Sequence, residues 1–225
     1  MSIKQFPENW VDDTKKIIKQ MRGFIINIRK AKNEDVIVTV LSNDSVKNYW
    51  RFFGARHSIL QVGNLIDFEV KESKNNFMPN VRSISHLSFP WIFSHNHLLI
   101  WQNFIKLFEA HLKDTIELDA FYFELLLSVA KKWGKQNPKR LAIEAYIKLL
   151  EHEGRLYDNG FCYICETILE EKIGLMRAFL PTHPHCIYGQ IFHKKDIFKL
   201  YNTQSTIHLD DKLIDKLYMI LTKGF

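Results

Sequence analysis

Cysteine is scarce in this 225-residue chain: there are three, an odd number. That argues against a secreted scaffold held by disulfides. The opening MSIKQFPENWVDDTKK lacks the apolar core of a secretory leader. Nowhere do about 18 apolar residues run together, the length a membrane span needs. The expected compartment is the cytoplasm, with no membrane partner. Internal repeats and low-complexity linkers are also missing. So are the motifs of several enzyme classes: GxxxxGK[ST], GxGxxG after a strand, HExxH and GxSxG. The string His95-Asn96-His97 is no nuclease signature, which needs its residues spread over tens of positions. Asp210 and Asp211 read as the start of a helix. Nothing pairs a nucleophile with a base, so the chain is expected not to be an enzyme.

What is present is ordinary in bulk and uneven in detail. Apolar residues make up 46% and charged residues 25%, which suits a folded soluble protein. The net charge is +6, and its placement is informative. Residues 1–86 carry 14 Lys/Arg against 9 Asp/Glu, whereas 87–160 and 161–225 are nearly balanced. A polyanion would dock on the first third. Aromatic residues reach 13%; most belong in a core, but exposed rings would stack on bases.

Residues 1–20 are polar, and Met21 directly precedes a strand pattern. The expectation is a natural start at Met21, with 1–20 an extension outside the fold. GFIINIRK alternates, placing Phe24, Ile26 and Ile28 on one face. DVIVTVL reads as a central strand and SVKNYWRFF as strand or helix. LIDFEV and VRSISHL alternate again, on either side of a loop at 71–76. About five short strands in some 65 residues predict a small closed barrel of the OB type over 21–90.

From about residue 96 the period becomes helical. Trp101, Ile105, Phe108 and Leu112 form one stripe, and Phe121, Leu125, Val129 and Trp133 another. Gly134 and Pro138 interrupt before a third helix, 139–153. That helix is so apolar that it is expected to be the central one, with Gly154 as its stop. A further helix is expected at 210–221. The fold class is thus α+β: an OB barrel, then a helical domain over 91–225 that carries a Cys/His segment at 160–190. No long linker separates the two, so they should pack together.

Cys162-x-x-Cys165 followed by His183-x-x-Cys186 is the pattern of a tetrahedral zinc clamp, with each pair reaching the ion from one turn. His185 is the rival fourth ligand. Four protein ligands leave no open position, so Zn2+ here would be structural. A redox CxxC fits less well, because no βαβ pattern surrounds it. The barrel region holds Arg22, Arg29, Lys30, Lys32, Lys47, Arg51, Arg56, Lys71, Lys74 and Arg82, with Trp50, Phe52, Phe53 and His57 between them. Cations contact phosphates and rings stack on bases, so these are candidate nucleic-acid contacts. In the GAR segment, Gly54 would let the backbone turn tightly while Arg56 projects. Lys131, Lys132, Lys135, Lys139 and Arg140 form an auxiliary basic patch for DNA or an acidic peptide.

MRGFIINIRKAKNEDVIVTVLSND, then FFGAR, resembles the opening of RecO proteins. PKRLAIEAYIKLLEHEGRLYDNGFCYIC resembles that family's helix, its glycine exit and the entry to its zinc cysteines. The likeness spans roughly residues 21–190 and is nearest to short, divergent members. Two departures stand out: His183 replaces the first cysteine of the usual second pair, and the basic tail of many relatives is short here. The resemblance implies a recombination mediator that binds single- and double-stranded DNA. Such proteins anneal strands, help load RecA onto strands coated by single-strand-binding protein (SSB), and contact RecR and the acidic SSB tail. It implies DNA contacts by Arg22, Arg29, Lys30, Arg51 and Arg56, and a tail site near Lys132, Lys135 and Arg140. The rival readings are a small metal-dependent nuclease and a protein-interaction adaptor that never touches DNA.

Overall fold

The run Val36–Leu41 is β-branched and apolar, which suits a strand packed on both faces. In the computed structural model, which describes residues 19–72, 78–115 and 117–224, it forms one wall of a closed barrel. The strands are β1 (Lys19–Lys30), β2 (Val36–Ser42), β3 (Val46–Arg51), β4 (Leu65–Lys71) and β5 (Asn80–His86). They close in the order β1-β2-β3-β5-β4. All neighbours are antiparallel except β3 and β5, which meet in parallel at Trp50 and Asn80. This is the expected OB barrel. Within SVKNYWRFF, Val46–Arg51 is strand and Phe52 and Phe53 begin the turn that follows, while β1 begins at Lys19, two residues before the anticipated start. The proposed extension otherwise lies outside the described residues, as do Lys74 and most of the loop at 71–76.

Ile25, Val36, Val38, Val40, Tyr49, Ile66, Phe68, Val70 and Val81 fill the barrel. The expected face of β1 needs one correction. Phe24 and Ile26 face the helices, but Ile28 packs against the barrel interior. The cause is a register shift between Ile25 and Asn27. Such a bulge adds one residue and moves every later side chain to the opposite face.

After the barrel come α1 (His95–His111), α2 (Phe121–Lys132) and α3 (Pro138–His152). Asn137 caps α3 by accepting the Lys139 N–H, Pro138 occupies its first turn, and Gly154 ends it at φ 65°. Eight residues of α3 are buried, as its apolar sequence demands. A three-stranded sheet follows, in the order β7 (Pro181–Thr182), β6 (Lys172–Leu175), β8 (Ile191–His193). Of the two last helices, α4 (Lys194–Thr203) packs beside β8 and α5 (Asp211–Leu221) packs on α3, and Asp210 caps α5 by accepting the Leu213 N–H.

Barrel and helices share one core. Phe24, Ile26, Leu41 and Leu65 belong to the same cluster as the buried faces of α1, α2 and α3. Three tryptophans seal the junction. Trp101 lies 5.0 Å from Trp133 and 5.3 Å from Trp91. Each indole N–H donates to a backbone carbonyl: Trp101 to Gly63 (2.8 Å), Trp91 to Ala130 (2.7 Å) and Trp133 to His97 (3.0 Å). Large rings therefore enter the core without leaving a polar atom unpaired.

Candidate metal centre and nucleic-acid interface

Cys162 and Cys165 lie in a tight loop clasped by a bridge between Phe161 and Ile168. Within it Cys162 N–H donates to the Thr167 carbonyl, and Glu166 N–H donates to that of Cys162. Glu166 takes a left-handed φ of 57° to complete the turn. The loop hangs on β7 through Tyr163 N–H and the Pro181 carbonyl. His183 follows β7 immediately, and Cys186 folds back so that its N–H donates to the His183 carbonyl. The result brings the Cys162, Cys165, His183 and Cys186 ligand atoms within 4.8 Å of one another.

The donor set fits a tetrahedral metal ion. Cys162 Sγ and Cys186 Sγ are 3.9 Å apart, close to the ~3.8 Å edge expected of two thiolates ~2.3 Å from one ion. Burial pushes the Cys162 thiol up, but the N–H groups of Cys165, His183 and Ile164 outweigh it and leave the thiol more acidic than usual. Cys165 is drawn down to about 6, chiefly by Thr167. Burial and the neighbouring sulfurs push Cys186 up to about 11. Thiols of unequal acidity crowded together, one of them pushed up by its neighbours, are what clustered sulfurs show until a cation neutralises them. His185 stays exposed, its ring stacked on that of His183 at 5.1 Å.

The cations of the barrel divide into two kinds. Some are occupied. Arg22 forks onto Asp67, at 2.7 and 3.1 Å. That bond holds the Asp67 carboxyl below its usual range, against the opposing effect of burial. Arg56 pairs with Glu34 at 2.5 Å. Arg51 reaches inward: one nitrogen donates to the Val81 carbonyl at 3.2 Å, and another lies 3.2 Å from His57 Nε2. Its buried Nε has no hydrogen-bond partner among the described residues. Arg51 thus ties β3 to β5 more than it displays a charge. Gly54 also differs from expectation. A Cβ there would lie 2.3 Å from Val36 Cγ2, so close packing requires the glycine. The left-handed residue of that turn is Phe53, at φ 52°.

Other cations are open. Arg29, Lys30, Lys32 and Arg82 are exposed and form no ion pair among the described residues. Register pairs Lys30 with Val36 and Val36 with Arg51, while Trp50 pairs with Asn80 and Asn80 with Lys71. Lys30, Arg51 and half-buried Lys71 therefore fall along one sheared rim, with Lys32 in the adjoining turn.

On the helical side, Lys132 and Lys135 are exposed. Arg140 is committed internally. It donates to the carbonyls of Thr206 (2.7 Å) and Leu209 (2.8 Å) and pairs with Asp211. An apolar cavity of about 290 Å³ opens between Trp91, His97, Lys131 and Lys135. Sequence reasoning had no signal for it, because its walls come from segments 40 residues apart. No helix among the described residues is long and apolar enough to cross a membrane. Residues 21–92 match the family model described as RecO N terminal. No curated protein matches the chain.

Proposed function

We propose, from the match of residues 21–92 to the family model described as RecO N terminal, that the protein is a non-enzymatic recombination mediator in DNA repair. It binds single- and double-stranded DNA, anneals complementary strands and helps RecA onto strands coated with SSB. The observation that carries this reading is the set of open cations on a barrel that matches that family model: Arg29, Lys30, Lys32 and Arg82. Two complementary strands repel each other. A surface that neutralises phosphates and releases their counterions offsets that repulsion and concentrates both strands. No covalent step is involved.

The Cys162, Cys165, His183 and Cys186 cluster holds a structural Zn2+ in this reading. The ion supplies a cross-link that fixes the loop at 160–168 to the segment after β7. The acidic SSB tail docks on the helical domain near Lys132 and Lys135. There the Trp91 cavity offers an apolar floor beside lysine charge. Arg140, held by the Thr206 and Leu209 carbonyls and by Asp211, ties α3 to the segment before α5 instead of meeting the tail. RecR is a further partner, and the cytoplasm is the site of action.

The test is annealing of complementary, dye-labelled strands coated with SSB, with and without the full chain. Acceleration that declines steeply with salt is expected. No acceleration, together with no binding to bare oligonucleotides at low salt, would leave a protein adaptor as the better reading.

A further inference from the structure

Two phenylalanines point out of the barrel while most of its other rings are packed away. Phe52 is 52% exposed and Phe53 58%. They lie on the segment that leaves β3, and that segment is firmly held. One oxygen of Asp35 accepts the Phe53 backbone N–H at 2.8 Å, and the other accepts the Trp50 indole N–H at 3.1 Å. Ala55 N–H donates to the Glu34 carbonyl at 2.9 Å, and Arg56 pairs with the Glu34 side chain. Phe53 sits at φ 52°, ψ 27°, a conformation that non-glycine residues adopt only when the surroundings enforce it. The Trp50 ring is 6.3 Å from Phe52, and Arg56 Cζ is 5.7 Å from the centre of the Phe53 ring.

A surface turn has no need of large rings, and a strained backbone has no need to present them. The turn that clamps them also carries Lys32, and Lys30 precedes it. The surroundings thus suit a polyanion, and the rings suit flat apolar faces. In duplex DNA those faces are covered by neighbouring base pairs. In a single strand they are open to a protein ring.

We propose that Phe52 and Phe53 form a stacking platform for unpaired bases of single-stranded DNA, and that Asp35 is the residue that positions it. The proposal rests on the DNA-binding reading above and adds to it a preference for exposed bases over phosphates alone.

The full chain is titrated by fluorescence anisotropy with an oligothymidylate, an abasic strand of equal length and a duplex, at several salt concentrations. Stacking of two bases, at the low end of its usual strength, favours the oligothymidylate over the abasic strand by roughly thirty-fold. Phe52→Ala with Phe53→Ala brings that ratio close to one while duplex affinity and salt slope stay as they were. Phe52→Tyr with Phe53→Tyr keeps the ratio. Asp35→Asn lowers it severalfold, and a 2-aminopurine in the strand reports weaker quenching than with the unaltered chain. A ratio near one for the unaltered chain overturns the platform and leaves DNA binding intact. So does a ratio that survives the double alanine change. Failure of the unaltered chain to bind any of the three probes overturns the DNA-binding reading itself.

Discussion

His183 Nε2 lies 3.0 Å from the carbonyl oxygen of Ile168, while its Nδ1 is 3.3 Å from Cys165 Sγ. The first contact uses the Nε2–H as a donor. That fixes the tautomer and leaves the Nδ1 lone pair facing the sulfurs, the arrangement in which a histidine accepts a metal.

That relationship separates the two candidate histidines. His183→Ala is expected to abolish binding of one metal ion per chain, and His185→Ala to preserve it. Substituting Co2+ makes the comparison spectroscopic, because thiolate-bound cobalt absorbs in the visible and near ultraviolet. Removing the metal with a chelator should lower the melting temperature of the unaltered chain and of His185→Ala, but not that of His183→Ala. A His185→Ala protein that loses its metal would reverse the assignment.

The division of barrel cations makes a graded prediction. Arg29→Ala, Lys30→Ala and Lys32→Ala together remove three open charges, so the salt slope of single-strand binding should fall by about 2. Arg22→Ala removes a charge already matched by Asp67 and should change affinity less than about twofold. Equal losses from the two variants would show that ion pairing does not decide which cations meet DNA.

The β-branched run of β2, the alternation along β4, and the i, i+4 stripes of α1 and α2 were legible because each is written within a dozen residues. The Cys/His cluster was legible because its spacing is itself the signal. The roles of single cations were not. Arg22 meets Asp67 across 45 positions, and Arg140 meets the Thr206 carbonyl across 66. No local pattern encodes such pairings. The same holds for Ile28, whose orientation depends on a bulge that leaves no composition signal. The strands β6, β7 and β8 are four, two and three residues long, too short for any period to appear.

Gly63 joins barrel to helices. Its φ is 95°, its carbonyl accepts the Trp101 indole N–H, and a Cβ would lie 2.6 Å from Trp101 Cδ1. Gly63→Ala therefore combines backbone strain with a clash against a fully buried ring, at a cost of about 3 kcal/mol. Equilibrium unfolding in urea measures it. A change below about 1 kcal/mol would mean that the junction repacks easily.

Glu153, at the end of α3, gathers three donors. His111 Nε2 lies at 2.6 Å and the Tyr122 hydroxyl at 3.0 Å from one oxygen, and Arg155 at 2.9 Å from the other. Burial alone would push this carboxyl up, but the bonds from His111, Arg155 and Tyr122 outweigh it and draw it from 4.5 down to about 2. A carboxyl more acidic in the folded state than in the unfolded one adds stability above the unfolded value. That stability drains away as pH falls from about 4.5 towards 2. With allowance for solvent screening, the contribution at neutral pH is roughly 2 kcal/mol. Glu153→Gln should be less stable than the unaltered chain by about that amount at pH 7, and by less than half of it near pH 3. Denaturant unfolding at the two pH values measures the gap. A gap of the same size at both would show that the network stabilises the fold by packing and not by the charge of Glu153.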